Sequence, residues 1–171
     1  MINLSSFLEQ KVGVFGLGRS GLSCALALKK GGAEVFAWDD NEIAREHATT
    51  TGLELVDLYK VDWSSIDSLV LSPGIPLNYP KPHSIVQIAH ESNVEIIGDL
   101  ELLARSELNA PVIGITGTNG KSTTTALVGH ILTNANHNVE VGGNLGVPVL
   151  NLDNGIEVSR YVIEVSSFQL E

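Results

Sequence analysis

The sequence predicts an α/β protein made of two parallel-sheet units in tandem. Three observations carry this expectation. Short apolar runs of strand length alternate with segments of helical spacing over residues 11–97. A Gly-x-Gly-x-x-Gly loop, Gly16-Leu-Gly-Arg-Ser-Gly21, separates the first such run from the first helical segment. A second glycine-rich loop ends in Gly120-Lys121-Ser122, where another apolar run hands over to another helical segment.

Residues 11–15 read as the first strand. Residues 22–30 read as a helix with Leu22, Ala25, Leu26 and Leu28 inward, stopped by Gly31-Gly32. Residues 34–38 form a second strand that ends in Asp39-Asp40. A strand, glycine loop, helix, strand and acid in this order form the dinucleotide-binding fingerprint, with the acid about 20 residues after the loop. The acidic pair has two readings, a ribose hydroxyl partner or a cap on the next helix. Residues 41–50 read as a polar helix, 53–58 as a third strand and 66–71 as a fourth. The fourth runs into Ser72-Pro-Gly-Ile-Pro76, where two prolines and a glycine force a turn. That turn is either a plain connector or, at the C-terminal end of a strand, part of a ligand site. Residues 83–91 return as an amphipathic helix with Ile85, Ile88 and Ala89 on one side, and 94–97 as a fifth strand. Asp99 is expected to N-cap a helix over 100–105. Residues 1–98 therefore read as one Rossmann-like parallel-sheet domain, and 99–171 as the start of a P-loop-type α/β domain.

In the second unit, residues 112–115 form a short strand and 121–135 a helix. The loop between them is built as a phosphate cradle. Glycines let backbone N–H groups crowd an anion, and the positive end of the helix dipole points at the same place. Lys121 adds a mobile cation, and the Ser122 hydroxyl suits Mg²⁺. The strict pattern wants glycine at the position of Ile115, so this loop is a variant. Residues 138–141 read as a strand, Gly142-Gly-Asn-Leu-Gly146 as another glycine loop, and Asp153-Asn-Gly155 as a turn. Residues 161–165 form an apolar strand that carries Glu164. In isolation that carboxylate is a buried ion-pair partner, a solvated strand residue or a metal ligand; beside a phosphate loop the metal role is the expected one. The chain stops just past this strand with no covering helix, so it is expected to be a fragment or to be completed by another piece.

Composition narrows the function further. The 171 residues are 43% hydrophobic and 18% charged, enough for a packed core. A net charge of −10 argues against nucleic acid or an anionic membrane as partner. Cys24 is the single cysteine, which excludes an internal disulfide and fits a cytoplasmic setting. It lies on the apolar side of the first helix and reads as a core residue. His130 and His137 lack metal-ligand spacing, and Trp38 and Trp63 read as packing residues.

The run Gly114-Ile-Thr-Gly-Thr-Asn-Gly-Lys-Ser-Thr123 resembles the ATP loop of the Mur ligases, ATP-dependent amide-forming enzymes of peptidoglycan precursor synthesis. The loop at residues 16–23, Ser72-Pro-Gly-Ile-Pro76, Gly98-Asp-Leu-Glu-Leu102, Gly142-Gly-Asn-Leu-Gly146 and Glu164-Val-Ser-Ser-Phe-Gln-Leu-Glu171 extend the resemblance in order along the whole chain. It is nearest the branch that adds D-glutamate to UDP-N-acetylmuramoyl-L-alanine through an acyl phosphate. The resemblance implies a Rossmann-like domain for the uridine diphosphate end at 1–98 and part of a central ATP-binding domain at 99–171, with a third domain missing. It implies a cytoplasmic monomer whose cofactors are ATP and Mg²⁺. Carried over by position, Gly117, Thr118, Asn119, Gly120, Lys121, Ser122 and Thr123 hold ATP, and Lys121 and Glu164 are catalytic. Ser122 and Glu164 serve the metal. Arg19, Ser20, Asp40, Ser72, Pro73, Gly74, Asn144 and Ser166 contact the UDP-muramoyl substrate. The family often has an arginine just after the second strand, where this chain has Asp39-Asp40-Asn41.

Two other classes stay open on sequence alone. One is an NAD(P)-dependent oxidoreductase built on residues 1–98, which the first glycine loop and the acidic strand end support. No hydride-transfer acid or base is evident for it. The other is a non-catalytic nucleotide-binding module. On the ligase reading, the fragment binds nucleotides but does not turn over.

Overall fold

A computed structural model describes all residues except Leu145, Leu170, Glu171 and the side chain of Phe168, so the end of the closing motif lies outside the described residues. The chain forms β1 (Lys11–Phe15), α1 (Arg19–Gly31), β2 (Glu34–Trp38), α2 (Glu42–Thr50), β3 (Ser68–Leu71), α3 (Ser84–Glu91), β4 (Glu95–Ile97) and α4 (Asp99–Ala104). There follow β5 (Val112–Ile115), α5 (Lys121–Asn134), β6 (Val139–Gly143) and β7 (Arg160–Glu164). Two parallel sheets result, one in the order β2-β1-β3-β4 and one in the order β5-β7-β6. In the first, Phe15 stands beside Trp38 on one side and Leu71 on the other, so three C-terminal strand ends align. In the second, Glu164 of the central strand stands between Ile115 and Gly143.

The expected third strand at 53–58 does not form. Leu55 makes a single bridge to Ala37, and the Val56 N–H reaches the Ala37 carbonyl at 3.1 Å. The chain then turns at Asp57, whose carboxylate accepts from the Tyr59 N–H at 3.1 Å. Leu53 and Leu58 are buried without pairing. Leu53 joins the core shared with α1 and Leu58 the core shared with α3, so the run is apolar through packing, which sequence periodicity cannot separate from ladder formation. The first sheet therefore has four strands, not five.

Helix ends are set by local chemistry. α1 starts at Arg19, three residues before the apolar periodicity, and ends at Gly32 with φ of 90°, a left-handed conformation suited to glycine. Asn41 caps α2 by accepting from the N–H groups of Ile43 and Ala44. Asp99 is not the expected cap. It is the first residue of α4, behind Gly98, and its side chain makes other bonds. Gly142 and Gly143, expected in a loop, complete β6. A side chain at Gly143 would collide with the Glu164 backbone, and its φ is 121°, so this strand end requires glycine.

One apolar cluster runs through both sheets. It joins Ile2, Leu4 and Phe7, the inner side of α1, Val12 and Val14 of β1, Leu102 and Leu103 of α4, and Leu150, Leu152, Tyr161 and Ile163 of the second unit. The Ile2 N–H also donates to the Leu150 carbonyl at 2.9 Å. A second cluster of Phe15, Leu69, Ile85 and Val86 fills the space between the first sheet and α3. Cys24 and Trp63 are buried in these cores, as expected. Burial holds the Cys24 thiol well above its ordinary pKa, with the charge of Asp99 adding to the effect. Trp38 lies under the Arg45 guanidinium, 4.7 Å from the ring centroid. α5 covers its sheet through Thr125 and Gly129 and leaves Leu127 and Ile131 exposed.

Tyr161 tests the second unit. Its ring is fully buried, and its hydroxyl lies 2.8 Å from Asn154 Oδ1 and 3.0 Å from the Asp153 carbonyl, tying β7 to the turn before it. Tyr161→Phe takes the hydroxyl from the Asp153 carbonyl and leaves Asn154 Oδ1 with the Asn109 N–H at 3.3 Å, and it is expected to lower stability by about 1 kcal/mol, read by urea denaturation.

Candidate functional site

The C-terminal ends of both sheets open on a cleft of about 310 Å³. From the first unit come Gly16, Arg19 and Ser20 of the first loop, Asp39 after β2, and the Ser72-Pro73-Gly74 turn after β3. From the second come Asn144 after β6 and Gln169 after β7. Six residues expected to contact substrate, Arg19, Ser20, Ser72, Pro73, Gly74 and Asn144, are thus brought together. Two are not. Asp40 points toward Tyr59 and His83, 3.2 and 3.5 Å from its carboxylate, outside the cleft lining. Ser166 is buried behind it, and its hydroxyl has no partner among the described residues. A wider cleft of about 910 Å³ shares the Ser72-Pro73-Gly74 turn and runs along β4 to Arg105.

The first glycine loop is held from within. The Leu17 N–H donates to Asp39 Oδ2 at 2.5 Å, and Ser72 Oγ donates to the Gly16 carbonyl at 2.6 Å. Gly21 packs on that same carbonyl with no room for a side chain. In the dinucleotide fingerprint the acid after β2 faces a ribose hydroxyl. Here Asp39 spends one oxygen on the loop amide and the other on the Asn41 N–H at 2.8 Å. The loop is a structural joint between β1, β2 and β3, which weighs against the oxidoreductase alternative.

The second loop lies open. Residues 116–120 are exposed, and Gly117 and Gly120 adopt φ of 148° and 76°. Only glycine takes such values without strain. Gly120 forms the N-cap of α5, so Lys121, Ser122 and Thr123 occupy its first turn, where backbone amides are free for an anion. Lys121 Nζ donates to the Gly117 carbonyl at 2.7 Å, folding its charge back over the loop.

Glu164 ends β7, directly beside the strand that launches this loop, and is 3% exposed. None of the ion pairs among the described residues includes it. Its carboxylate receives one long bond, from Asn144 Nδ2 at 3.4 Å, while its carbonyl accepts from the Asn144 N–H at 2.9 Å. Asn144 therefore links the cleft to the buried carboxylate. A buried carboxylate with so little compensation is costly unless a cation completes it. Among the described residues no group of three or more metal-binding side chains exists. The donor set of one carboxylate, a serine hydroxyl and phosphate oxygens fits Mg²⁺, which keeps few protein ligands.

Sequence reasoning missed three residues here. Asp39, rather than Asp40, lines the cleft. Asp99 is 4% exposed and bonds both Ser20 and Gln169. The quoted motifs Gly98-Asp-Leu-Glu-Leu102 and Glu164-Val-Ser-Ser-Phe-Gln-Leu-Glu171 contained two of them, but nothing in their spacing shows that they meet.

The chain, a parallel-sheet lobe joined across one cleft to a second parallel-sheet lobe, belongs to the Mur ligase family. The MurD-like N-terminal domain of Mur ligases matches residues 10–98, and the Mur ligase middle domain matches residues 115–171. The chain is 49% identical over its whole length to the UDP-N-acetylmuramoylalanine--D-glutamate ligase of Phenylobacterium zucineum (strain HLK1), covering 38% of that protein. It is also 49% identical to the ligases of the same name from Rhizobium meliloti (strain 1021), again covering 38%, and from the Wolbachia of Brugia malayi, covering 34%. The chain thus spans little more than a third of the length of the curated relatives it matches. Among the described residues no helix is long and apolar enough to cross a membrane.

Proposed function

We propose that this chain supplies the two lobes that bind UDP-N-acetylmuramoyl-L-alanine and ATP in a ligase that joins D-glutamate to the former. Residues 1–98 take the uridine diphosphate end, and 99–171 take the triphosphate. The observation that carries this reading is Glu164. It is buried and outside every ion pair among the described residues, one strand from the Gly120-Lys121 loop and bonded through Asn144 to the cleft.

In the family's chemistry a substrate carboxylate attacks the γ-phosphate of ATP, forming an acyl phosphate and releasing ADP; the amine of D-glutamate then attacks the acyl carbon, and phosphate and a proton leave as the amide forms. Two unit charges about 4 Å apart repel by about 4 kcal/mol at an effective dielectric of about 20. The site must offset that repulsion. Lys121 and the amides at the start of α5 face the phosphates, with Gly117, Thr118, Asn119 and Thr123 shaping the cradle. Ser122 and Glu164 would hold a magnesium ion, which would neutralise triphosphate charge when bound. Arg19, Ser72, Pro73, Gly74 and Asn144 orient the sugar nucleotide so that its carboxylate meets the phosphate from the cleft side. The net charge of −10 weighs against nucleic-acid and anionic-membrane partners, and the single buried cysteine fits a reducing, cytoplasmic setting; a monomer is part of the same proposal.

Glu164→Gln in the full-length protein tests the reading. It keeps the shape and the Asn144 contact but removes the charge. ADP release in the presence of both substrates is expected to fall about 100-fold, with more Mg²⁺ needed for half-maximal rate. Unchanged magnesium dependence would count against the metal role. For the 171-residue chain, Trp38 fluorescence during titration with NADH and with UDP-N-acetylmuramoyl-L-alanine separates the ligase from the oxidoreductase. A preference for NADH contradicts the ligase.

A further inference from the structure

We infer that Asp99 is a positioning residue for the cleft between the lobes, setting the direction in which the hydrogen bonds of Ser20, Gln169 and Ser166 run. The identity of the ligand it serves rests on the ligase reading above. Asp99 opens α4 and is 4% exposed, yet it caps nothing. One carboxylate oxygen accepts from the Ser20 hydroxyl, and the other accepts from Gln169 Nε2 at 2.8 Å. Ser20 belongs to the first turn of α1, in the first unit, and Gln169 to the short helical turn after β7, in the second. A single buried carboxylate therefore spans both.

A carboxylate only accepts, so it dictates polarity to its neighbours. Ser20 gives its proton to Asp99 and turns lone pairs, not a donor, toward whatever enters the cleft. That side of the cleft therefore suits a hydroxyl or N–H group of the ligand, and phosphate oxygens fall to Arg19 and backbone amides. Gln169 must turn its NH₂ to Asp99, which aims its oxygen the other way, where it accepts from the Ser166 N–H at 2.9 Å. The relay thus runs from Ser166 through Gln169 to Asp99, and it holds the segment after Glu164 by a side-chain amide whose orientation Asp99 selects. A helix cap would have required none of these partners.

Asp99→Asn keeps size and shape but introduces a donor. Whichever way its amide turns, the bond from Gln169 is either broken or stripped of its charge assistance, so the hold on Gln169 weakens in both orientations. In the 171-residue chain, hydrogen exchange at the Ser166 backbone amide is expected to quicken at least tenfold, and the Gln169 side-chain amide resonances are expected to move. Affinity for UDP-N-acetylmuramoyl-L-alanine is expected to fall about tenfold in Asp99→Asn and in Gln169→Ala, with no further loss in the double variant. Unchanged Ser166 exchange and unmoved Gln169 resonances in a folded Asp99→Asn protein overturn the inference, as do affinity losses that simply add. Should Asp99→Asn fail to fold, Gln169→Ala decides by the same amide: faster Ser166 exchange supports the relay, and unchanged exchange refutes it. Should the unaltered chain fail to bind the sugar nucleotide, the ligase reading falls while the exchange measurement still judges the role of Asp99.

Discussion

Lys121→Ala in the full-length ligase is expected to cut turnover about 10²–10³-fold while leaving the fold intact. Among the described residues the side chain hydrogen-bonds to the Gly117 carbonyl alone, at 2.7 Å, across an exposed loop, so its removal opens no cavity. On the function proposed above, what is lost is a cation beside the transferring phosphate, in a site whose other protein groups are backbone amides, the Ser122 hydroxyl and a carboxylate. An electrostatic donor aimed at charge that develops in the transition state is worth about 3–4 kcal/mol. ADP release with saturating substrates measures the loss, and circular dichroism checks the fold. Lys121→Arg tests whether charge alone suffices; a guanidinium is larger and planar, and it is expected to recover only part of the rate. A Lys121→Ala enzyme within threefold of the unaltered rate would remove the loop from the catalytic account.

The second large effect concerns stability. Gly21→Ala is expected to destabilise the chain by about 3 kcal/mol or more. A Cβ at this position would collide with the Gly16 carbonyl oxygen and with Ser72 Oγ, which are themselves hydrogen-bonded at 2.6 Å. Neither neighbour is a flexible chain end that can step aside. Relief would require α1 to lift away from β1, which uncovers the apolar cluster that α1 shares with both sheets. The control is Gly98→Ala, where nothing lies within 4 Å and the backbone, with φ of −107°, accepts any residue. Urea denaturation of the two variants should separate them clearly; equal midpoints would show that the loop has slack that the packing does not suggest.

The strands and helices that the sequence announces most clearly are those with both an apolar period and a terminal signal. β1, α1 and β2 are framed by glycines and an acid, and α5 by Gly120 and a strand before it. The failure at residues 53–58 has a physical cause. Burial under a sheet and pairing within it impose the same alternation on a short segment, and only the partner strand decides between them. Asp99 illustrates a second limit. An acid at the start of a helix is the usual cap signal, yet its bonds are to Ser20 and Gln169, 79 and 70 residues away along the chain. No local pattern carries such a meeting. The loop at residues 117–120 and the helix it opens were legible because the pattern is local: glycines, lysine and helix start are consecutive. The cleft was half legible. The turn at Ser72 and the loop at Arg19 declare themselves through their own residues, whereas the choice of Asp39 over Asp40 depends on which carboxylate the backbone turns inward to the Leu17 amide.

The first few residues have a reach beyond their own lobe. Ile2 and Leu4 are buried in the core that both lobes share; Leu4 lies against Gly31 of α1, and the Ile2 N–H donates to the Leu150 carbonyl of the second lobe. They act as a clasp. An affinity tag fused close to Met1, or a protease that trims the leading seven residues, would loosen the turn at Leu150 in the second lobe as well as the end of α1. Preparations meant to report on nucleotide binding are better extended from the opposite terminus.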